Sequence, residues 1–506
     1  MTHVQRSLLG AGLFLSVALL AGRLAGFGRE VLLASSLGLS DQADIAIVLL
    51  TVPDLLVNLL LSGGIGVALV PALRAATAAQ AGALFRQASL VIGAGFSVLG
   101  LLFACLPSFW LGLLAPGVTG ANQWLDNWMV YVIAVAIPLS ALSGVTTAAL
   151  NAGDRFFVAG CGTLIFNLCV IGALALAMFK ADGYLAWLCV GILLGAFLRW
   201  VSQWCGLQVG RVQVGEPHPG WLLDRNLARG FMAGLASASL LILVPVALRA
   251  GASWLGKGEL AAFNYAIKLV ELPLGILITT LATVAFPRLS EAHDRQDTEQ
   301  FDGVLVSALQ RSLVLSIAVV MCGWPFIDAV VALLFGAGRV SDEGQMHIAA
   351  LAQIALLSVP WVGVAGLAAA ALNARRQPGL VLRRTIVVML LFPLLCIPGV
   401  WMNDPLLLMW SLPAFHAILA LSLVAAVGAR SLRPVLGKSC SILTCVLAMA
   451  GVVLAGVAVD VFWLKPAGAL LIGPVVLWRV LLAGLVFAVA VAAGLYTFRS
   501  AKRSGE

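Results

Sequence analysis

Residues 22–71 read GRLAGFGREVLLASSLGLSDQADIAIVLLTVPDLLVNLLLSGGIGVALVP, placing charge and glycine where a bilayer span should carry neither. Two apolar runs lie here, with Arg23, Asp44 and Asp54 in or against them. Gly63, Gly64 and Gly66 loosen the second run, and Pro53 and Pro71 punctuate it. Ionisable residues inside membrane helices are costly and as a rule face an interior path or pocket. The stretch therefore reads as the lining of a polar cavity inside a membrane transporter.

Working outward, the chain of 506 residues is 62% hydrophobic and 10% charged, whereas globular domains carry about 25% charged residues. A spanning helix needs about 20 mostly apolar residues. Windows of that kind recur at 7–27, 45–69, 87–113, 127–150, 156–179, 184–206, 230–250, 262–286, 306–335, 347–373, 380–401, 406–429, 439–463 and 470–497. The expected fold is thus all-α and polytopic, with about fourteen transmembrane helices. These runs are continuously apolar, which argues against the alternation of a membrane barrel. The first 22 residues share a basic end and a short apolar core with signal peptides. Arg23 and the many later spans favour an uncleaved first helix.

Lys and Arg mark the cytoplasmic loops of a membrane protein. One alternate set of loops holds most of them, among them Arg74, Arg86, Arg155, Arg375, Arg376 and Arg433; the other holds only Arg29, Lys180, Arg249, Lys257, Arg339 and Lys465. Both termini are therefore assigned to the cytoplasm. The net charge of +8 is a topology signal and not a nucleic-acid surface, which would need its charges gathered on one folded face. The nine cysteines lie in or beside apolar spans without a CxxC pair, as small buried hydrophobes do. The longest loops, about 208–229 and 287–303, are expected on the cytoplasmic side with a surface helix in each, and neither can house a catalytic domain.

The chain echoes itself. AALNA closes the fourth span at Ala148–Ala152 and the tenth at Ala370–Ala374, an offset of 222 residues, and basic residues follow both copies. The same offset carries Ser7, at the start of span one, to Arg229, at the start of span seven. An even number of spans separates the copies, so they share one orientation, as in parallel transporter repeats. The predicted plan is an N-lobe at 1–206, a linker at 207–228, a C-lobe at 229–429 and a C-terminal helix pair with tail at 430–506, with a substrate cavity between the lobes.

Arg23 and Arg29 are six residues apart, about 600° of helix, and so lie some 120° from one another, sharing a broad face without stacking directly. Either Arg23 snorkels, or it faces the cavity, where a guanidinium fork suits phosphate oxygens. Asp44 and Asp54 either pair with Arg23 or serve gating and coupling; the two roles coexist if the pair breaks during transport. Lys268 and Glu271 are i, i+3 neighbours, so they neutralise one another or leave Lys268 to the cavity. Pro273 and Gly275, like Gly26, Gly63 and Gly64, are candidates for helix flexibility. Arg199 and Arg479 read as structural or headgroup-binding, and His416 as a packed polar residue. No metal spacing, nucleophile motif or phosphate-binding glycine loop is present, so neither a cofactor nor ATP-driven transport by this chain is expected.

GRLAGFGREVLLASSLG, DQADIA, VPDLLVNLLLSGGIGVALVPAL, LNAGDRF at 150–156, YAIKLVELPLGIL at 265–277, FPRLS at 286–290 and LFGAGRVSDEG at 334–344 occur in that order. Together they resemble the MurJ (MviN) lipid II flippases of the multidrug/oligosaccharidyl-lipid/polysaccharide exporter superfamily, over roughly residues 7–400. The resemblance implies two lobes around a cationic cavity and alternating access that moves an undecaprenyl-pyrophosphate-linked saccharide outward. It implies a glycolipid substrate, membrane lipids and proteins of cell-envelope synthesis as partners, and the bacterial inner membrane as location. Arg23, Arg29 and Asp44 match important polar positions of the family, and Lys268 stands where the family usually has Arg. In span two, Val57, Asn58 and Ser62 replace a typical Arg pair and Glu, so the cavity is less basic than a typical lipid II site. Lipid II and an exopolysaccharide repeat unit both stay open as cargo. Rivals of other classes are a small-molecule antiporter, which wants a carboxylate-dominated cavity, and a glycan polymerase, which wants a long periplasmic loop. Membrane potential, sodium and protons are all open as driving force.

Overall fold

The computed structural model describes residues 3–59, 65–118, 125–180, 183–208, 220–223, 240–275, 279–428, 439–461 and 472–503. All regular structure among them is helical, and nine segments among them are long and apolar enough to cross a membrane. Helices satisfy every backbone group internally, which is what a bilayer demands. The chain divides into two compact units, Met1–Ala261 and Ala262–Glu506.

The first unit holds α1 (His3–Leu37), α2 (Asp41–Leu59), α3 (Ile65–Ala75), α4 (Ala78–Cys105), α5 (Pro107–Leu114), α6 (Asn127–Ala152), α7 (Phe156–Lys180), α8 (Tyr184–Gln208) and α9 (Leu240–Ala252). Span two, expected as one helix over 45–69, is described as α2 and α3; Gly63 and Gly64 lie outside the described residues. Pro107 starts α5 and ends the ladder of α4 within span three, since proline has no N–H to continue it. A capping box of Thr77 and Gln80 opens α4. In α6, 67% of the most apolar window is buried, against 22% in α4, so α6 is the interior helix and α4 faces lipid. Leu73, Phe85, Val145, Ala149 and Leu207 form the core around it.

Close approach of α7 to its neighbours depends on two small-residue faces. A Cβ at Gly26 would lie 3.1 Å from the Asn167 amide nitrogen, and one at Gly22 would lie 3.3 Å from Thr163. On the other side, a Cβ at Gly191 would lie 2.7 Å from Ala173, and one at Gly195 would lie 3.0 Å from the Phe166 carbonyl oxygen. Both pairs have GxxxG spacing, which lets membrane helices pack backbone to backbone. Gly26 thus sits inside the unbroken α1, at its contact with α7.

The second unit holds α10 (Glu259–Pro273), whose first residues belong to the first unit, α11 (Thr279–Asp294), α12 (Thr298–Phe335), α13 (Asp342–Leu356), α14 (Val359–Ala374), α15 (Pro378–Trp401), α16 (Pro405–Met409), α17 (Ser411–Val427), α18 (Ser439–Val459) and α19 (Ile472–Arg503). The segment 287–303, expected to be a loop with its own surface helix, is instead the end of α11 and the start of α12. Only a three-residue turn with Gln296 at φ +58° separates them. Of the other long loop only residues 220–223 and its first residue are described; Gln87 of α4 pairs with the backbone at Gly220 and Leu222, each bond 2.8 Å. Span ten divides into α13 and α14 at Leu357–Ser358.

The AALNA echo is a repeated helix stop. After α6, Arg155 N–H donates to the Leu150 carbonyl with Asp154 at φ +57°; after α14, Gln377 N–H donates to Leu372 with Arg376 at φ +60°. The basic residue beside each turn then reaches a carbonyl near the end of another helix: Arg155 to Gly206 at 3.0 Å, and Arg375 to Val427 at 2.8 Å. Within the second unit, α18 and α19 pack on α12 through Ala318, Phe326, Met449 and Val486. Arg479 of α19 bonds both Asp460 and Asp328 there, a structural role as the sequence suggested. His416 packs beside Phe415 with its Nδ1 2.9 Å from the Leu412 carbonyl oxygen.

Candidate functional site

The two arginines of α1, expected on one broad face, have opposite environments. Arg23 is exposed and makes no ion pair or hydrogen bond among the described residues. Arg29 is 3% exposed. Its Nη2 donates to Glu30 Oε1 and Asp54 Oδ2, both at 2.8 Å, and its Nη1 donates to Asn167 Oδ1 at 3.1 Å. Asn167 in turn donates to the Gly22 carbonyl at 3.1 Å, so its amide ties α7 to α1 and aims its oxygen at the guanidinium. Asp54 therefore pairs with Arg29 and not with Arg23. The cause is the register of α2, which brings Asp54 to the inner face of α1.

Two carboxylates thus share one guanidinium. Arg199 lies on α8, a helix that contacts α2; it is 3% exposed, and its Nε has no hydrogen-bond partner among the described residues. Gly162 of α7 makes room for it, since a Cβ there would lie 3.2 Å from Arg199 Nε. The next turn of α8 is polar too, with Gln203 bonded to Thr146 and Thr147 of α6, each at 2.9 Å.

Asp44 is 1% exposed. Its carboxylate accepts from Gly258 N–H at 2.9 Å and Ala261 N–H at 2.8 Å. It thereby caps the start of α10 from another helix, where free N–H groups and the helix dipole favour an anion. The turn that delivers these amides needs glycine. Gly258 has φ +78°, and a Cβ on it would lie 2.6 Å from the Leu39 carbonyl carbon. Lys257 adds an ion pair to Asp41 at 3.1 Å.

In the second unit Lys268 and Glu271 pair at 2.7 Å, both partly exposed. Pro273 ends α10 and Gly275 follows in a π-type turn. The side chains of Val57, Asn58 and Ser62 lie outside the described residues. Glu30, Asn167 and Arg199 were not singled out as site residues, although Glu30 adjoins Arg29 and the other two stand isolated in apolar spans. That isolation was the available signal. Among the described residues no group of His, Cys, Asp and Glu could hold a metal ion.

A family model described as lipid II flippase MurJ matches residues 33–442 of this chain. The chain belongs to the MurJ family. A probable lipid II flippase MurJ of Rhizobium tropici is 25% identical over 366 residues, 68% of this chain and 66% of the relative. A lipid II flippase MurJ of Burkholderia cenocepacia is 26% identical over 339 residues, 63% of this chain and 64% of the relative. The matched part of the chain thus spans about two thirds of the length of these MurJ relatives. In fold, the chain resembles a solved MurJ in an inward closed conformation, with a TM-score of 0.77 at 17% identity, covering 94% of this chain and 98% of that one. An inward-facing multidrug transporter of the MATE family follows with a TM-score of 0.68 at 14% identity, covering 83% and 98%. The MurJ match and the apolar helices make this a multi-pass protein of the bacterial inner membrane.

Proposed function

We propose that this chain carries lipid II, an undecaprenyl-pyrophosphate-linked saccharide, across the inner membrane by alternating access, without altering it chemically. Family membership supports the cargo class. The observation that carries the mechanism is the division of labour on α1: Arg23 exposed and without a partner among the described residues, Arg29 buried in a carboxylate cluster six residues on. A pyrophosphate is a doubly anionic, oxygen-rich group, and a guanidinium fork suits it. Arg23 makes the first contact and Arg29 the second, with Lys268 as a further cation once Glu271 releases it. The two lobes at 1–206 and 229–429 alternate, the lipid tail rides in a lipid-facing groove, and both termini lie in the cytoplasm.

Asp44, Asp54 and Glu271 serve gating and coupling, because each holds a contact that substrate or a changing helix arrangement can exchange. Gly63, Gly64, Pro273 and Gly275 provide the bends, and Gly26 a helix contact that can slide. Membrane potential, sodium or protons supply the driving force. The test is depletion in the native host, followed by identification of the lipid-linked saccharide that accumulates in the cytoplasmic leaflet. Lipid II supports the reading; accumulation of an exopolysaccharide unit with normal lipid II turnover overturns it.

A further inference from the structure

Arg29 Nε has no hydrogen-bond partner among the described residues, but Nη2 is taken by both carboxylates and Nη1 by Asn167, so the fork cannot grip a pyrophosphate until one carboxylate leaves. Glu30 is its immediate neighbour on α1 and is almost fully buried, whereas the Asp54 side chain is 37% exposed and comes from α2. Asp54 is therefore the ligand that substrate displaces. A carboxylate displaced beside an arriving anion is favoured by a cation within reach.

The structure holds one ready. Arg199 is buried on α8, a helix that contacts α2. Its Nε is unpartnered, and among the described residues its guanidinium makes no ion pair. The polar side chain one turn on, Gln203, is already committed to Thr146 and Thr147. A buried Nε–H without an acceptor is costly, and a second state that brings a carboxylate to Arg199 relieves that cost.

We propose that Arg199 receives the Asp54 carboxylate when a pyrophosphate takes its place on Arg29, so that Arg199 sets substrate affinity as a positioning residue. This rests on the reading that Arg29 meets the pyrophosphate. Asp54 alternates between two arginines: on Arg29 it holds the empty site, and on Arg199 it frees Arg29 for cargo.

The test measures binding of farnesyl pyrophosphate to the purified full-length chain in lipid nanodiscs, for the wild type, Arg199→Gln, Arg199→Lys, Asp54→Asn and the Asp54→Asn/Arg199→Gln double variant. Arg199→Gln is expected to weaken binding about tenfold, because the displaced carboxylate loses its receiver. Arg199→Lys stays within about threefold of the wild type, because it keeps the charge. In the Asp54→Asn background, Arg199→Gln changes binding by less than about twofold, because no carboxylate needs a receiver. Equal losses from Arg199→Gln in both backgrounds, or no loss in either, would overturn the proposal. A wild type that binds no pyrophosphate, or binding that survives Arg29→Ala unchanged, would overturn the underlying reading of Arg29, and the proposal with it.

Discussion

At the scale of single residues, burial separates two arginines that composition treats alike. Arg23→Ala removes an exposed cation with no described partner, so the chain should insert and fold normally and lose transport. Normal complementation of a flippase-depleted strain by that variant would contradict the proposed role. Arg29→Ala instead leaves Glu30 buried without its cation, and removing one partner of a buried pair costs about 3–5 kcal/mol. A lowered thermal unfolding midpoint in detergent should accompany its loss of transport, and an unchanged midpoint would refute the cluster. Asp44→Ala removes a cap on two backbone amides, a loss of about 0.5–2 kcal/mol. Faster hydrogen exchange at Gly258 and Ala261 should report it. The angular separation of Arg23 and Arg29 was legible in the sequence because helix geometry fixes it. The partner of Asp54 was not, because that choice depends on how α1, α2 and α7 pack, and Asn167 lies 138 residues from the arginine it meets.

At the scale of elements, the glycines of α1 make two different predictions. Gly26→Leu forces α1 away from α7, where even a Cβ would come within 3.1 Å of Asn167. Overpacking of this kind costs about 1–3 kcal/mol. At Gly28 nothing lies within 4 Å of the point a Cβ would occupy, so Gly28→Ala should leave the unfolding midpoint unchanged or raise it slightly, since alanine is the better helix former. Equal destabilisation by both substitutions would argue against the packing seam. The AALNA repeat was readable because it stops two helices with the same hydrogen bonds. The turn at 295–297 was not, because charged residues such as Glu291, Asp294 and Glu299 look like loop in a hydropathy reading while α11 and α12 continue through them.

At the scale of the whole molecule, the C-terminal pair is fastened to α12 by an ion cluster inside an apolar interface. Arg479→Ala leaves Asp460, 2% exposed, without its guanidinium. Amide exchange should rise along α18 and α19 while the first unit keeps its protection. The membrane fold itself was open to reading from apolar span lengths, because the bilayer thickness sets them. The cargo was less so, since Val57, Asn58 and Ser62 depart from the family pattern in the stretch that otherwise identifies it. The most direct test of the central claim replaces the host's own flippase activity with this chain and probes intact cells with an external enzyme that cleaves lipid II only where it is exposed outside the membrane. Cleavage should be restored by the wild-type chain and stay absent with Arg23→Ala at equal membrane abundance. No cleavage with the wild type, or equal cleavage with both, would contradict the account.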